Sequence, residues 1–114
     1  MDEITTLQAE VLRVLSSPKR LEILHSLAVE PMEVGRIAVE LGVSQPNVSQ
    51  HLAVMRTAGI VEADRVGREI RYRLADPDVL VACNVMRGVL ERRLARLARA
   101  ANTARMTEIL VPIS

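Results

Sequence analysis

VSQPNVSQHL, residues 43–52, opens with a serine suited to capping a helix, Ser44, and then sets Gln45, Asn47, Ser49, Gln50 and His51 around Val48 and Leu52. The valine and the leucine lie four positions apart, so they share one helix face and can anchor it on a core. The polar side chains between them pack poorly and carry little charge. They suit a partner that presents hydrogen-bond donors and acceptors. Base edges in the major groove are such a partner. Gln and Asn pair bidentately with adenine, and Ser donates or accepts at close range. A helix N-terminus also attracts a phosphate.

Upstream, apolar residues recur at helical spacing over 4–15 (Ile4, Leu7, Val11, Leu12, Leu15) and predict a first helix. Ser17-Pro18 is a second helix start, a capping hydroxyl followed by a proline whose missing N–H costs nothing there. Leu21, Leu24, Leu27 and Ala28 read as its buried stripe. Pro31 ends it, and MEVGRIAVELG makes a short third helix stopped by Gly42. Ser44 caps the fourth, which runs to about Thr57 with Val48, Leu52 and Met55 inward, and Gly59 ends it.

Downstream the period changes to two. In EIRYRL, 69–74, Ile70, Tyr72 and Leu74 face one way and Glu69, Arg71 and Arg73 the other. IVEAD is the antiparallel partner, with RVGR, 65–68, as the hairpin tip and Gly67 in the turn. Asp76-Pro77 starts a last helix to about residue 101, with Cys83, Met86, Leu90, Leu94 and Leu97 on one stripe. The 104–114 tail has no role legible in the sequence. The expected fold is mainly α with a small β-hairpin, a winged helix-turn-helix of five helices.

The chain has 114 residues, 49% hydrophobic and 25% charged, which suits one folded domain with a core. Phe and Trp are absent and Tyr72 is alone, so that core must be aliphatic. No apolar run approaches the roughly 20 residues of a membrane span, and the acidic start MDEITTLQ is no ordinary signal peptide; a cytoplasmic location is expected. The net charge is +1, yet residues 1–50 carry −3, residues 51–75 +2 and residues 76–114 +2. The positive charge sits from the second half of the reading helix onward, where an anionic partner would meet it.

LSSPKRLEILHSL (15–27) and VSQPNVSQHLAVMRTAGIVEADRVGREIRYRL (43–74) resemble the ArsR/SmtB family of dimeric bacterial repressors over about residues 7–75. The S-Q-P-x-V-S-Q-H-L core and the G-R-x-x-x-Y wing stand in family order. The resemblance implies double-stranded DNA as partner, contacted by Ser44, Gln45, Pro46, Asn47, Ser49 and Gln50 on the helix and by Arg65 and Arg68 at the wing tip. His51 either reaches a phosphate or turns inward to a protein partner. Arg56 and Lys19 or Arg20 are lesser phosphate candidates. The expected layout is one domain, with 17–75 as DNA-binding core and wing and 1–16 and 77–103 as homodimer helices, Leu7, Val11, Leu90, Leu94 and Leu97 contributing.

Many relatives release DNA on binding a metal, and here the sequence departs from the family. The cysteines of one known site would fall at Glu33 and Gly35, which supply no thiolate. A second known site needs histidine on the last helix, but His25 and His51 both lie upstream. No metal and no cofactor are expected, and the inducer is open. Cys83, the sole cysteine, is either a redox-responsive thiol at the dimer interface or a small core residue, with only Arg87 nearby to activate it. Met86 reads as core, and His25 as a partly buried helix histidine.

An enzyme is not expected, because no nucleophile–base arrangement, phosphate loop or ligand cluster is present. Two alternatives stand beside a ligand-responsive repressor. One is a winged-helix protein–protein module, which should show apolar and aromatic anchors where this helix shows Gln, Asn and Ser. The other is a DNA-binding regulator with no small-molecule inducer.

Overall fold

The computed structural model describes residues 2–110, and its helices, the third excepted, begin under a capping side chain. Helix α1, Glu3–Val14, is capped by Asp2, whose carboxylate accepts from the Thr5 N–H at 2.6 Å. Helix α2, Pro18–Val29, is capped by Ser17, whose hydroxyl accepts from the Arg20 N–H at 3.4 Å. Helix α3, Val34–Leu41, ends at Gly42, which takes the left-handed conformation (φ 68°) and bonds back to α3 carbonyls. Helix α4, Gln45–Thr57, is capped by Ser44. Strands β1, Val61–Val66, and β2, Glu69–Leu74, pair antiparallel from Val61↔Leu74 to Val66↔Glu69. Helix α5, Asp78–Leu110, starts under Asp76, whose carboxylate accepts from the Asp78 N–H at 2.9 Å.

The chain is described as two compact units, residues 1–80 and the residues from Val81 on. The first unit holds the core. Ile23, Leu24, Ile37, Val48, Leu52, Met55, Ile60 and Val61 are fully buried, an aliphatic core as the composition required. Burying each of the larger of these side chains contributes on the order of 1.5–3 kcal/mol. The buried stripe of α2 is Ile23, Leu24 and Leu27, while Ala28 is exposed and Leu21 half-buried. Because α2 packs against α3, α4 and β2, its inner face turns toward Ile23.

The wing is tied to this core at one point that no periodicity announces. Met32, in the connection before α3, exchanges backbone hydrogen bonds with Tyr72 of β2: the Met32 N–H donates at 3.0 Å and the Tyr72 N–H at 2.8 Å. One β2 position named in the alternating pattern differs. Ile70 is exposed, and only Tyr72 and Leu74, nearer the core, are half-buried on that face. Among the described residues nothing buries Ile70 in the outer half of the hairpin.

The second unit is the rest of α5, and among its described residues none is buried. The helix runs to Leu110, past the expected end near residue 101, so part of the tail is helical. Residues 111–114 lie outside the described residues. Met86, expected in a core, is 53% exposed, as are Leu90, Leu94 and Leu97 to similar degrees. Cys83 is half-buried. Among the described residues no helix is long and apolar enough to cross a membrane.

Candidate nucleic-acid interface

Helix α4 is built as an anchored plate. Val48, Leu52 and Met55 are fully buried beneath α4, while Gln45, Pro46, Asn47, Ser49 and Gln50 are exposed on its first two turns. Helix α4 contains no carboxylate, and Arg56 is its only formal charge besides whatever His51 carries. An anionic, hydrogen-bonding partner therefore meets no repulsion there.

The helix start is largely satisfied internally. The Ser44 hydroxyl accepts from the Asn47 N–H at 3.2 Å, the Ser44 carbonyl accepts from the Val48 N–H at 3.2 Å, and Pro46 has no N–H. Of the first-turn amides, the Gln45 N–H is left for a phosphate, and the Ser44 O–H keeps its own proton to donate. The Gln45 side chain lies back over α3 at Gly35.

The wing tip is tighter than the sequence suggested. Strand β1 extends through Arg65 and Val66, so the turn is the two residues Gly67 and Arg68. Gly67 takes φ 65°, a conformation a side chain would strain, and the glycine-first pattern is that of a type II′ hairpin. Arg65 is thus a strand residue opposite Ile70 rather than a tip residue, and its Nε donates to the Gly67 carbonyl at 3.3 Å. Arg68 is at the tip.

Charge pairing separates the wing arginines. Arg73 donates to Asp64 at 2.6 Å and to Glu62, and these carboxylates, Asp64 first, push its guanidinium pKa further up. Arg71 pairs with Glu69 at 3.3 Å. Among the described residues Arg68 has no hydrogen-bond or ion-pair partner. Arg68 is left for an outside anion, and Arg65, bonded only to the Gly67 carbonyl, has no carboxylate partner among the described residues.

His51 is turned inward on one side. Arg20 Nε donates to His51 Nδ1 at 3.2 Å, and both residues are half-buried. Arg20 is therefore committed within the protein rather than offered to phosphate, and Lys19 pairs with Glu22 at 3.4 Å. Arg56 has no such partner among the described residues. A cleft of about 520 Å³ is lined by Glu10, Arg13, Val14, Arg20, Ala53, Val54, Thr57 and Ala58. On α5, Arg87 is paired with Glu91 at 3.2 Å rather than committed to Cys83. His25 is half-buried, as expected.

Three contributors had no signature in the sequence: the Arg20 bond to His51, the Gly35 support of Gln45, and the Met32–Tyr72 bridge. Each joins residues far apart in the chain through single side chains or single backbone pairs, which leave no repeat to detect.

Comparison with known proteins gives the same architecture. Residues 17–63 match the model of the "bacterial regulatory protein, arsR family". The HTH-type transcriptional repressor SmtB of Mycobacterium tuberculosis is 43% identical over 74 residues, 65% of this chain and 55% of that protein. The chain thus spans about half the length of that relative. The uncharacterized HTH-type transcriptional regulator Rv0081 of M. tuberculosis is 38% identical over 90 residues, 78% of this chain and 79% of that one. Its crystal structure superposes with a TM-score of 0.75 at 35% identity, covering 84% of this chain and 97% of that one. A homodimeric winged helix-turn-helix DNA-binding domain from Mycobacterium bovis, Mb0332, aligns with a TM-score of 0.76 at 30% identity, over 82% of this chain and 86% of that one.

Proposed function

The chain belongs to the arsR family of bacterial regulatory proteins, with their winged helix-turn-helix fold, and from there we propose that it is a sequence-specific DNA-binding transcriptional regulator acting as a homodimeric repressor. The observation that carries this reading is the first two turns of α4. They expose Gln45, Asn47, Ser49 and Gln50, without a carboxylate, on a helix whose opposite face is fixed by fully buried Val48, Leu52 and Met55. A rigid row of donors and acceptors suits base edges. Arg68, unpaired at the wing tip among the described residues, suits phosphate or a narrow minor groove.

The half-exposed apolar side chains of α1 (Leu7) and of α5 (Leu90, Leu94, Leu97) supply the faces for a second copy. A two-fold dimer would present its two reading helices to half-sites about 34–36 Å apart on a pseudo-palindrome. On this reading the protein acts by binding DNA, as family membership supports.

Titration of the purified protein against the DNA upstream of its own gene, at two salt concentrations and against scrambled competitor, tests the reading. Tight binding that weakens with salt and resists competitor is the expected result. Equal affinity for operator and scrambled DNA would remove the regulator reading and favour a protein-interaction module.

A further inference from the structure

Arg20 makes contacts with three elements at once. It stands in the first turn of α2, where its own N–H is held by Ser17. Its Nη1 donates to the Val14 carbonyl at 3.0 Å, and its Nε donates to His51 Nδ1 at 3.2 Å. Val14 closes α1, and its carbonyl lies among those left without a helical partner. The negative end of the α1 dipole favours a cation at that point. One guanidinium thus joins the end of α1, the start of α2 and the middle of α4.

The bond to His51 has a chemical consequence. A guanidinium has donors only and keeps its proton at any physiological pH, so in this pair the imidazole nitrogen must accept. An accepting Nδ1 carries no proton. The single ring proton of neutral His51 is therefore on Nε2, and among the described residues nothing accepts from Nε2. A histidine without this partner would divide its proton between two nitrogens, and its ring would be free to turn.

We infer that Arg20 is a positioning residue for DNA recognition: it holds His51 in the Nε2–H tautomer and orientation, so that α4 presents a fixed, uncharged donor to a backbone phosphate. The inference rests on the DNA-binding reading proposed above. Arg20 itself touches no phosphate. Its contribution is to the geometry of a neighbour and to the placement of α4 beside the end of α1. A phosphate oxygen is the acceptor that suits such a donor.

Nitrogen NMR of the imidazoles and a double-mutant cycle on DNA test this together. The chain has two histidines, so the His51 signals are those lost in His51→Gln. The wild-type protein should show the Nε2–H pattern, and Arg20→Met, which keeps the stem and removes the donors, should shift it toward a mixture. His51→Ala should lower affinity for the upstream DNA on the order of tenfold. It should leave the salt slope unchanged, because a neutral donor displaces no counterion. In the Arg20→Met background the same change should cost less than about twofold, while His51→Gln, which retains a donor near Nε2, should bind close to wild type in both backgrounds.

An Nδ1–H tautomer in the wild type overturns the inference, even if Arg20→Met does not fold. So does a His51→Ala loss of the same size in both backgrounds, which would make Arg20 a structural residue only. Failure of the DNA-binding reading has a different signature. Wild type and every variant, Gln45→Ala and Arg68→Ala included, would then bind operator and scrambled DNA alike.

Discussion

The side-chain amide of Gln45 occupies the room that a methyl group on Gly35 would need: Gln45 Nε2 lies 3.2 Å from the position of that Cβ. The first side chain of α4 therefore lies against α3, and the missing side chain at Gly35 sets how far back it lies. Gly35→Ala should move the amide by a few tenths of an ångström. Gln45 is exposed and can give way. Folding stability should then rise by about 0.5–1 kcal/mol from the better helix residue, while preference at one base pair weakens. Thermal unfolding read beside binding to single-base operator variants checks both; unchanged preference would separate Gln45 from reading.

Gln45→Ala and Arg68→Ala should fail in different ways. Losing the amide should cost roughly 1–3 kcal/mol at the preferred base and relax the choice there. Losing the wing cation should weaken binding to all sequences and lower the salt slope by about one unit. Titrations on operator and mismatched DNA across a salt series read the two separately, and a uniform loss in both variants would contradict the division.

Leu94 is 66% exposed on α5, and a charge in its place should be tolerated by the helix but not by a partner copy. Leu94→Glu is expected to fold with normal helicity, to sediment as a monomer where the wild type sediments as a dimer, and to lose most of its affinity for a two-half-site operator. A dimer that survives this change places the interface elsewhere.

Asp2 provides a pH prediction at the start of α1. Hydrogen bonding from Thr5, its side chain first and its backbone N–H second, holds the Asp2 carboxyl below its ordinary value. A group with a depressed folded pKa stabilises the fold fully above the ordinary carboxylate range, and the contribution disappears as pH falls through the folded value. The melting-temperature gap between wild type and Asp2→Ala should be open at about pH 6 and narrow as pH falls below the ordinary carboxylate range. A gap of constant size across that range would show that the charge plays no part in the cap.

Much of this molecule was legible one element at a time. Ser17-Pro18, Ser44, Gly42 and Asp76-Pro77 mark helix ends because capping involves neighbours within three or four positions. Val48, Leu52 and Met55 declared the inner face of α4 by spacing alone, and all three are fully buried. The chemistry of the candidate interface was legible for the same reason: residue types at helical spacing specify which groups stand on a face.

What the tertiary structure added is pairing across distance. Arg20 and His51 are 31 residues apart and meet because α2 and α4 pack together, so Arg20 reads as a loose cation until both helices are in place. Arg65 moved from turn to strand because the register ends at Val66↔Glu69, and register depends on the partner strand. Arg73 lost its freedom to Asp64 and Glu62 by the same pairing. Local order follows from periodicity and caps within a few residues. Which polar groups remain for a partner is decided only when distant side chains have met and satisfied one another.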